Sequence, residues 1–359
     1  MRWADLQLMN APPPPRPLLK HSLTQISLRQ QPEFDFWYGF PQTGFSASEL
    51  LKVRNYSTLL LQREMEWDPI ARADPHFSNF ISHPRCRELC RKGIPPKHRP
   101  YVWISLLEVK TVRKPGLFSR YLSHTEEENA ATLRIISSDL QRTFPTHPLF
   151  TPNSPTLCRI RDVLLAYTWH DSITGYCQSM SYIVGMLALI FDSAEDLFWV
   201  FVQVMRRMPK YYGRTLKEIR IDMHVMDLYM QKHAPELFSL LHSFSLTAEN
   251  LCMDWFLTAF CRGFPPEISF RFWDIIFSEG WKALFRISLG LCKRIQSVTR
   301  GITDKSPISA ARHFCEHLID VEPILTFGYE IKRFPKRDIE AKRADVRKII
   351  DAETRQGLT

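Results

Sequence analysis

No C-x-x-C pair and no histidine cluster at zinc spacing occurs in this chain, although it carries eight cysteines. That argues against a zinc-held framework. Cys86 and Cys90 fall four apart, on one face of a helix, and the other six are scattered through apolar segments. The expectation is reduced, mostly buried thiols in a cytosolic protein. The N-terminus has no basic-then-apolar leader. The longest apolar run, Ile183 to Phe191, is far short of the roughly 20 residues that a membrane-crossing helix needs. Asp192, Glu195 and Asp196 then interrupt it, which fits two buried core helices better. Strand-like alternation, hairpin turns and solenoid-period repeats are also missing. So is a glycine-rich phosphate loop.

What remains is a helical chain of 359 residues, long enough for one large or two ordinary domains. Lys and Arg number 47 against 38 for Asp and Glu, a net charge of +9. Such an excess suits a plain solvated surface first, and contact with acidic surfaces, nucleotides or anionic lipid second. It is too diffuse to argue for nucleic acid.

The order along the chain predicts an all-α protein in three parts. Residues 1–45 form an extended arm that holds Pro12 to Pro15 and Pro17, ending in the aromatic run Phe34 to Phe40. That run docks on a core or offers a stacking platform for bases. Residues 46–335 form the helical body, and 336–359 a charged, solvated amphipathic helix carrying Ile339, Val346, Ile349 and Ile350. Within the body, helices are predicted over 48–66, 84–91 and 99–109. A longer one covers 125–143, with a Thr125–Glu128 capping box. Ser193 with Asp196 and Thr247 open two more, and Leu216 to Lys232 carries a methionine-rich stripe read as core packing.

The stretch from Ile136 to Met180 concentrates the chemistry. It opens I-S-S-D-L-Q-R-T-F-P, and Pro145 disfavours helix at Phe144. Arg142 therefore sits in or just past the last turn, where its side chain can project. Asp139, three residues earlier on the same face, can orient the guanidinium. A single helix over 153–167 leads to G-Y-C-Q-S-M, where Gly175 provides a turn, Tyr176 tethers the loop and Gln178 sits near a helix start. Taken alone, Arg142 reads first as a helix-end cation and Gln178 as a surface amide.

Several ordered motifs carry a family resemblance. R-K-G-I-P from Arg91 and H-R-P-Y-V-W to Trp103 come first, then the I-x-x-D-x-x-R spacing of Ile136, Asp139 and Arg142, then Y-x-Q at Tyr176 and Gln178. D-L-F-W at Asp196, W-F-L-T at Trp255 and F-W-D-I-I-F-S-E-G from Phe272 follow, and Tyr38-Gly39-Phe40 precedes them. In these the chain resembles a TBC domain, the helical GTPase-activating domain that acts on Rab GTPases, over roughly residues 85–320. The resemblance implies a single large multi-helix domain that is not itself an enzyme in the strict sense but activates a GTP-bound Rab in vesicle trafficking. Arg142 would be an arginine finger and Gln178 a glutamine finger, with Asp139, Tyr176 and Ile136 as supports. No cofactor is implied, because GTP and Mg²⁺ belong to the partner. The implied location is cytoplasmic, peripheral on endomembranes through the partner, and no nucleic acid is expected.

The departure is Ser179, where the family usually has glycine. If that position needs φ > 0, serine costs affinity or activity; if it is helical, serine is tolerable. Two other readings stand beside it: within the resemblance, and motivated by Ser179, a catalytically weak Rab-binding scaffold of the same fold; and, on charge alone, an unrelated basic helical protein of membrane or nucleic acid.

Overall fold

The structure, a computed structural model, describes residues 35–42, 44–124, 130–213, 216–302, 306–331, 334 and 336–355. Seventeen α-helices and no strand occur among them. The first six are α1 (Ala47–Ala73), α2 (Cys86–Lys92), α3 (Arg99–Leu106), α4 (Val109–Val112), α5 (Leu117–Leu122) and α6 (Ala130–Gln141). Then come α7 (Pro155–His170), α8 (Met180–Ala188), α9 (Ala194–Arg207), α10 (Lys217–His233), α11 (Pro235–Ser243) and α12 (Ala248–Leu257). The last five are α13 (Pro266–Glu279), α14 (Lys282–Val298), α15 (Pro307–Glu316), α16 (Glu322–Glu330) and α17 (Lys336–Arg355). The expected arm over 1–32, Phe34 and the Thr125–Glu128 capping box lie outside the described residues.

The helix starts follow local chemistry. Ser46 and Glu49 form a reciprocal capping box at α1, and Thr247 with Asn250 does the same at α12. Ser154 and Ser193 accept from Leu157 N and Asp196 N, and proline occupies the first turn of α7. Two expected helix ends move, and one helix is more buried than expected. Helix α1 runs on past Pro69 to Ala73. The helix expected over 99–109 ends at Leu106, because Glu108 adopts φ 52° and a new turn, α4, starts at Val109. The α17 helix is less solvated than expected: Ile339, Val346 and Ile350 are buried, with Ile349 exposed. It packs on α10, and Arg343 pairs with the buried Asp222 at 2.9 Å.

Helix α7 packs against α5, α6, α8 and α9, and α10 and α14 gather most of the later helices. Helix α13 lies against α2, α3 and α14 and is buried from Pro266 to Phe277, including Glu267, Arg271 and Asp274. Charges buried this way need partners. Arg99 donates to Glu267 (2.8 Å) and to Asp274 (3.4 Å), and Trp103 Nε1 and Ile94 N donate to Asp274 (2.9 and 3.1 Å). Tyr56 OH donates to Glu267 (2.7 Å). Burial raises both carboxyls. At Glu267, Arg99 and the donors outweigh it and hold the group below the usual range, whereas at Asp274 burial prevails.

The same network holds the aromatic segment. Tyr38 OH accepts from Arg99 (2.7 Å) and donates to Glu267 (3.2 Å), and Phe36 and Trp37 are buried. Residues 36–38, at the end of the expected arm, thus have buried partners of their own. His147 bonds to the Tyr38 carbonyl at 2.7 Å, which ties this segment to the turn after α6.

Trp273 is fully buried against Trp103 (ring centroids 5.6 Å), and its Nε1 donates to the Ala259 carbonyl at 2.7 Å. Trp273→Ala should lower the unfolding free energy by about 3–5 kcal/mol, read as a drop in the denaturation midpoint.

Candidate functional site

The site is built where α6 ends and α8 begins. Ile136 and Leu140 bury one side of α6, which fixes the helix on the body and leaves Ile135, Ser138 and Gln141 outside. Asp139 is 4% exposed and Arg142, just past the helix end, has its side chain 53% exposed. Arg142 Nη2 donates to Asp139 Oδ1 at 2.5 Å. With the cation half in water, that pair orients the guanidinium and adds little to stability.

The second Asp139 oxygen accepts from Tyr176 OH at 2.6 Å. Burial, the bond to Asp139 and its negative charge raise the Tyr176 phenol above its usual value, so it remains a donor at neutral pH. Two further bonds tie the same segments. Thr143 Oγ1 donates to Asp139 O (2.8 Å) and pairs with Ser181 Oγ (2.9 Å), and Tyr182 OH donates to Arg142 O (3.1 Å). Of the sequence-predicted residues, the structure thus joins Arg142, Asp139 and Tyr176 directly, with Ile136 buried beneath them. Gln178 lies two residues past Tyr176 and is exposed. Beside it, burial and the Asp139 charge raise the Cys177 thiol, which keeps it neutral.

Packing supports the turn between the helices. Phe144 adopts φ 50°, and its ring meets Phe150 (5.5 Å), Tyr182 (5.3 Å) and Phe40 (5.1 Å). Gly185 makes this possible: a Cβ there would stand 3.1 Å from both Phe144 and Phe150. Arg262, unremarked in the sequence, lies over the Tyr182 ring at 4.8 Å. Together with Arg142, Phe144 and Phe264 it borders a groove of about 500 Å³. Sequence reasoning also missed Ser181 and Tyr182. They lie within one turn of Gln178, but only the fold places them against Thr143 and Arg142.

Ser179 resolves the question its residue type raised. Its φ is 87° and ψ −23°, in the left-handed region, and it stands at the N-cap of α8 without any side-chain capping bond. A side chain there costs about 1–2 kcal/mol relative to glycine.

The model of the family described as "Rab-GTPase-TBC domain" matches residues 96–299, and the chain belongs to that family. Among curated relatives, TBC1 domain family member 2B of Xenopus tropicalis is 29% identical over 81% of this chain and 33% of its own length. Growth hormone-regulated TBC protein 1 of Xenopus laevis is 31% identical over 68% of this chain and 72% of its own. This chain thus spans about a third of the length of the first of these relatives. Among solved structures, a Chlamydomonas flagellar RabGAP TBC domain superposes with a TM-score of 0.70 at 23% identity, over 81% of this chain and 98% of that one. The Ypt/Rab-GAP domain of Gyp1p does so with 0.54 at 18% identity, over 80% and 97%. Both share the fold.

Because Ser179 Oγ caps nothing, Ser179→Gly removes strain and loses no bond. It should raise the unfolding free energy by on the order of 1 kcal/mol, measured by denaturant titration.

Proposed function

We propose that this chain is a GTPase-activating protein for a Rab-family GTPase in its GTP-bound form, lending Arg142 and Gln178 to the partner's nucleotide pocket. Membership in the Rab-GTPase-TBC family supports the activity class. The observation that carries the residue assignment is the shared Asp139 carboxylate. It pairs with the exposed Arg142 guanidinium and, through Tyr176, steadies the loop that bears the exposed Gln178.

The chemistry suits those two groups. Negative charge spreads over the phosphate oxygens as the terminal phosphoryl group of GTP is transferred to water. A planar guanidinium entering in trans neutralises that charge and contributes about 10³- to 10⁵-fold in rate. Lysine offers a point charge without the fork, so it is a poor replacement. The Gln178 amide both donates and accepts hydrogen bonds, as orienting an attacking water requires. GTP and Mg²⁺ come with the partner, and so does any peripheral attachment to a membrane.

A second reading is favoured by one feature, the left-handed Ser179 directly after Gln178. In that reading the strain displaces the amide, and the chain binds a Rab without accelerating it. Single-turnover hydrolysis across a panel of GTP-loaded Rab proteins separates the two.

Arg142→Ala and Gln178→Ala should each lower the stimulated rate by at least about a hundredfold. Arg142→Lys should recover little, and all three should melt as the wild type does. Wild-type stimulation by both alanine variants would overturn the two-finger assignment.

A further inference from the structure

Ile173 is 98% exposed, whereas the other exposed large apolar side chains among the described residues range from 40% to 68%. It is not carried on a loose tip. The Asp171 carboxylate accepts from Thr174 N (3.1 Å) and Tyr167 OH (3.1 Å), and the Asp171 carbonyl accepts from Gly175 N (2.8 Å). Tyr176 then clamps the other end of the loop to Asp139. An isoleucine held fully in water gains nothing for the free protein. It is held between two clamps, five residues before Gln178.

A second apolar side chain points the same way. Ile135, 56% exposed, lies on α6 seven residues before Arg142, which follows directly on the end of that helix. Each exposed polar group of the site therefore has an exposed isoleucine within seven residues before it in the chain. Five residues span at most roughly 17 Å of chain, so Ile173 stays within reach of whatever surface surrounds the nucleotide that Gln178 approaches.

We infer that Ile173 is the apolar anchor by which this chain docks the GTPase, seating in an apolar depression of the partner's surface beside its nucleotide pocket and thereby placing Gln178. This rests on the GTPase-activating reading above. Ile173 is a positioning residue: it secures the encounter and leaves the chemistry to the two fingers.

The test measures single-turnover hydrolysis by a GTP-loaded Rab against increasing concentrations of the full chain. Ile173→Asp should raise the half-saturating concentration about tenfold or more, the loss of one buried side chain. The saturating rate should stay within about twofold of wild type, since the fingers are untouched. Ile173→Leu should restore the wild-type half-saturation. Leu61→Asp, at a 60% exposed position on α1, should leave it unchanged, and all should melt alike. Unchanged half-saturation in Ile173→Asp, or an equal shift in Leu61→Asp, overturns the inference, as does a lower saturating rate alone. Binding to the same GTPase loaded with a non-hydrolysable GTP analogue keeps the two proposals apart. A wild-type chain that binds without accelerating hydrolysis sinks the finger assignment, while the Ile173→Asp binding shift still decides the anchor.

Discussion

Asp139 has one carboxylate, and both of its oxygens are used. One holds the guanidinium of Arg142 and the other holds the phenol of Tyr176. Because the carboxylate is buried, water competes weakly for it, so each bond is stronger and more directional than its exposed partner alone would allow. The consequence is geometric. A helix end and a loop separated by more than thirty residues acquire a common reference point, and an exposed arginine and an exposed glutamine are presented from it. Thr143 with Ser181, and Tyr182 with the Arg142 carbonyl, repeat the constraint one turn further on.

That presentation needs a rigid base, which the body supplies by burial. Ile136 and Leu140 seat α6, and the Phe144 ring fills the space that Gly185 leaves open. Deeper in the body, Arg99, Glu267 and Asp274 sit fully buried and satisfy one another, with Arg271 bonded to the Cys90 and Arg91 carbonyls. A buried network of this kind is costly if any member loses its partner. It therefore locks the stretch after α2 and the start of α3 to α13, and through Tyr38 it locks the aromatic segment too. Two non-glycine residues in left-handed conformation, Phe144 and Ser179, flank the site. Strain of this sort persists only where surrounding contacts over-determine the backbone. Here those contacts are the aromatic cluster on one side and the stitched hydrogen bonds on the other.

Much of this was legible along the chain because it is local. The helix starts at Ser193 and Thr247 follow from capping side chains within three residues of the backbone they bond. The placement of Arg142 past a helix end follows from Pro145. The methionine-bearing helix and the two apolar helices α8 and α9 follow from composition. Where the local signal misled, a distant partner had intervened. Ile339, Val346 and Ile350 look like the thin stripe of a solvated helix until α10 covers them.

Arg142, Asp139, Tyr176 and Gln178 could be picked out by residue type, spacing and family resemblance, since an i, i+3 carboxylate and guanidinium share a helix face wherever that helix lies. That Asp139 also reaches Tyr176 could not be read in the same way, because the contact spans 37 residues and depends on how α6 and α8 pack. The exposure of Ile173 was hidden for the same reason: an isoleucine in a sequence carries no mark of whether other side chains will cover it. The sign of φ at Ser179 is likewise set by the turn that two helices force on the chain, and no residue type announces it.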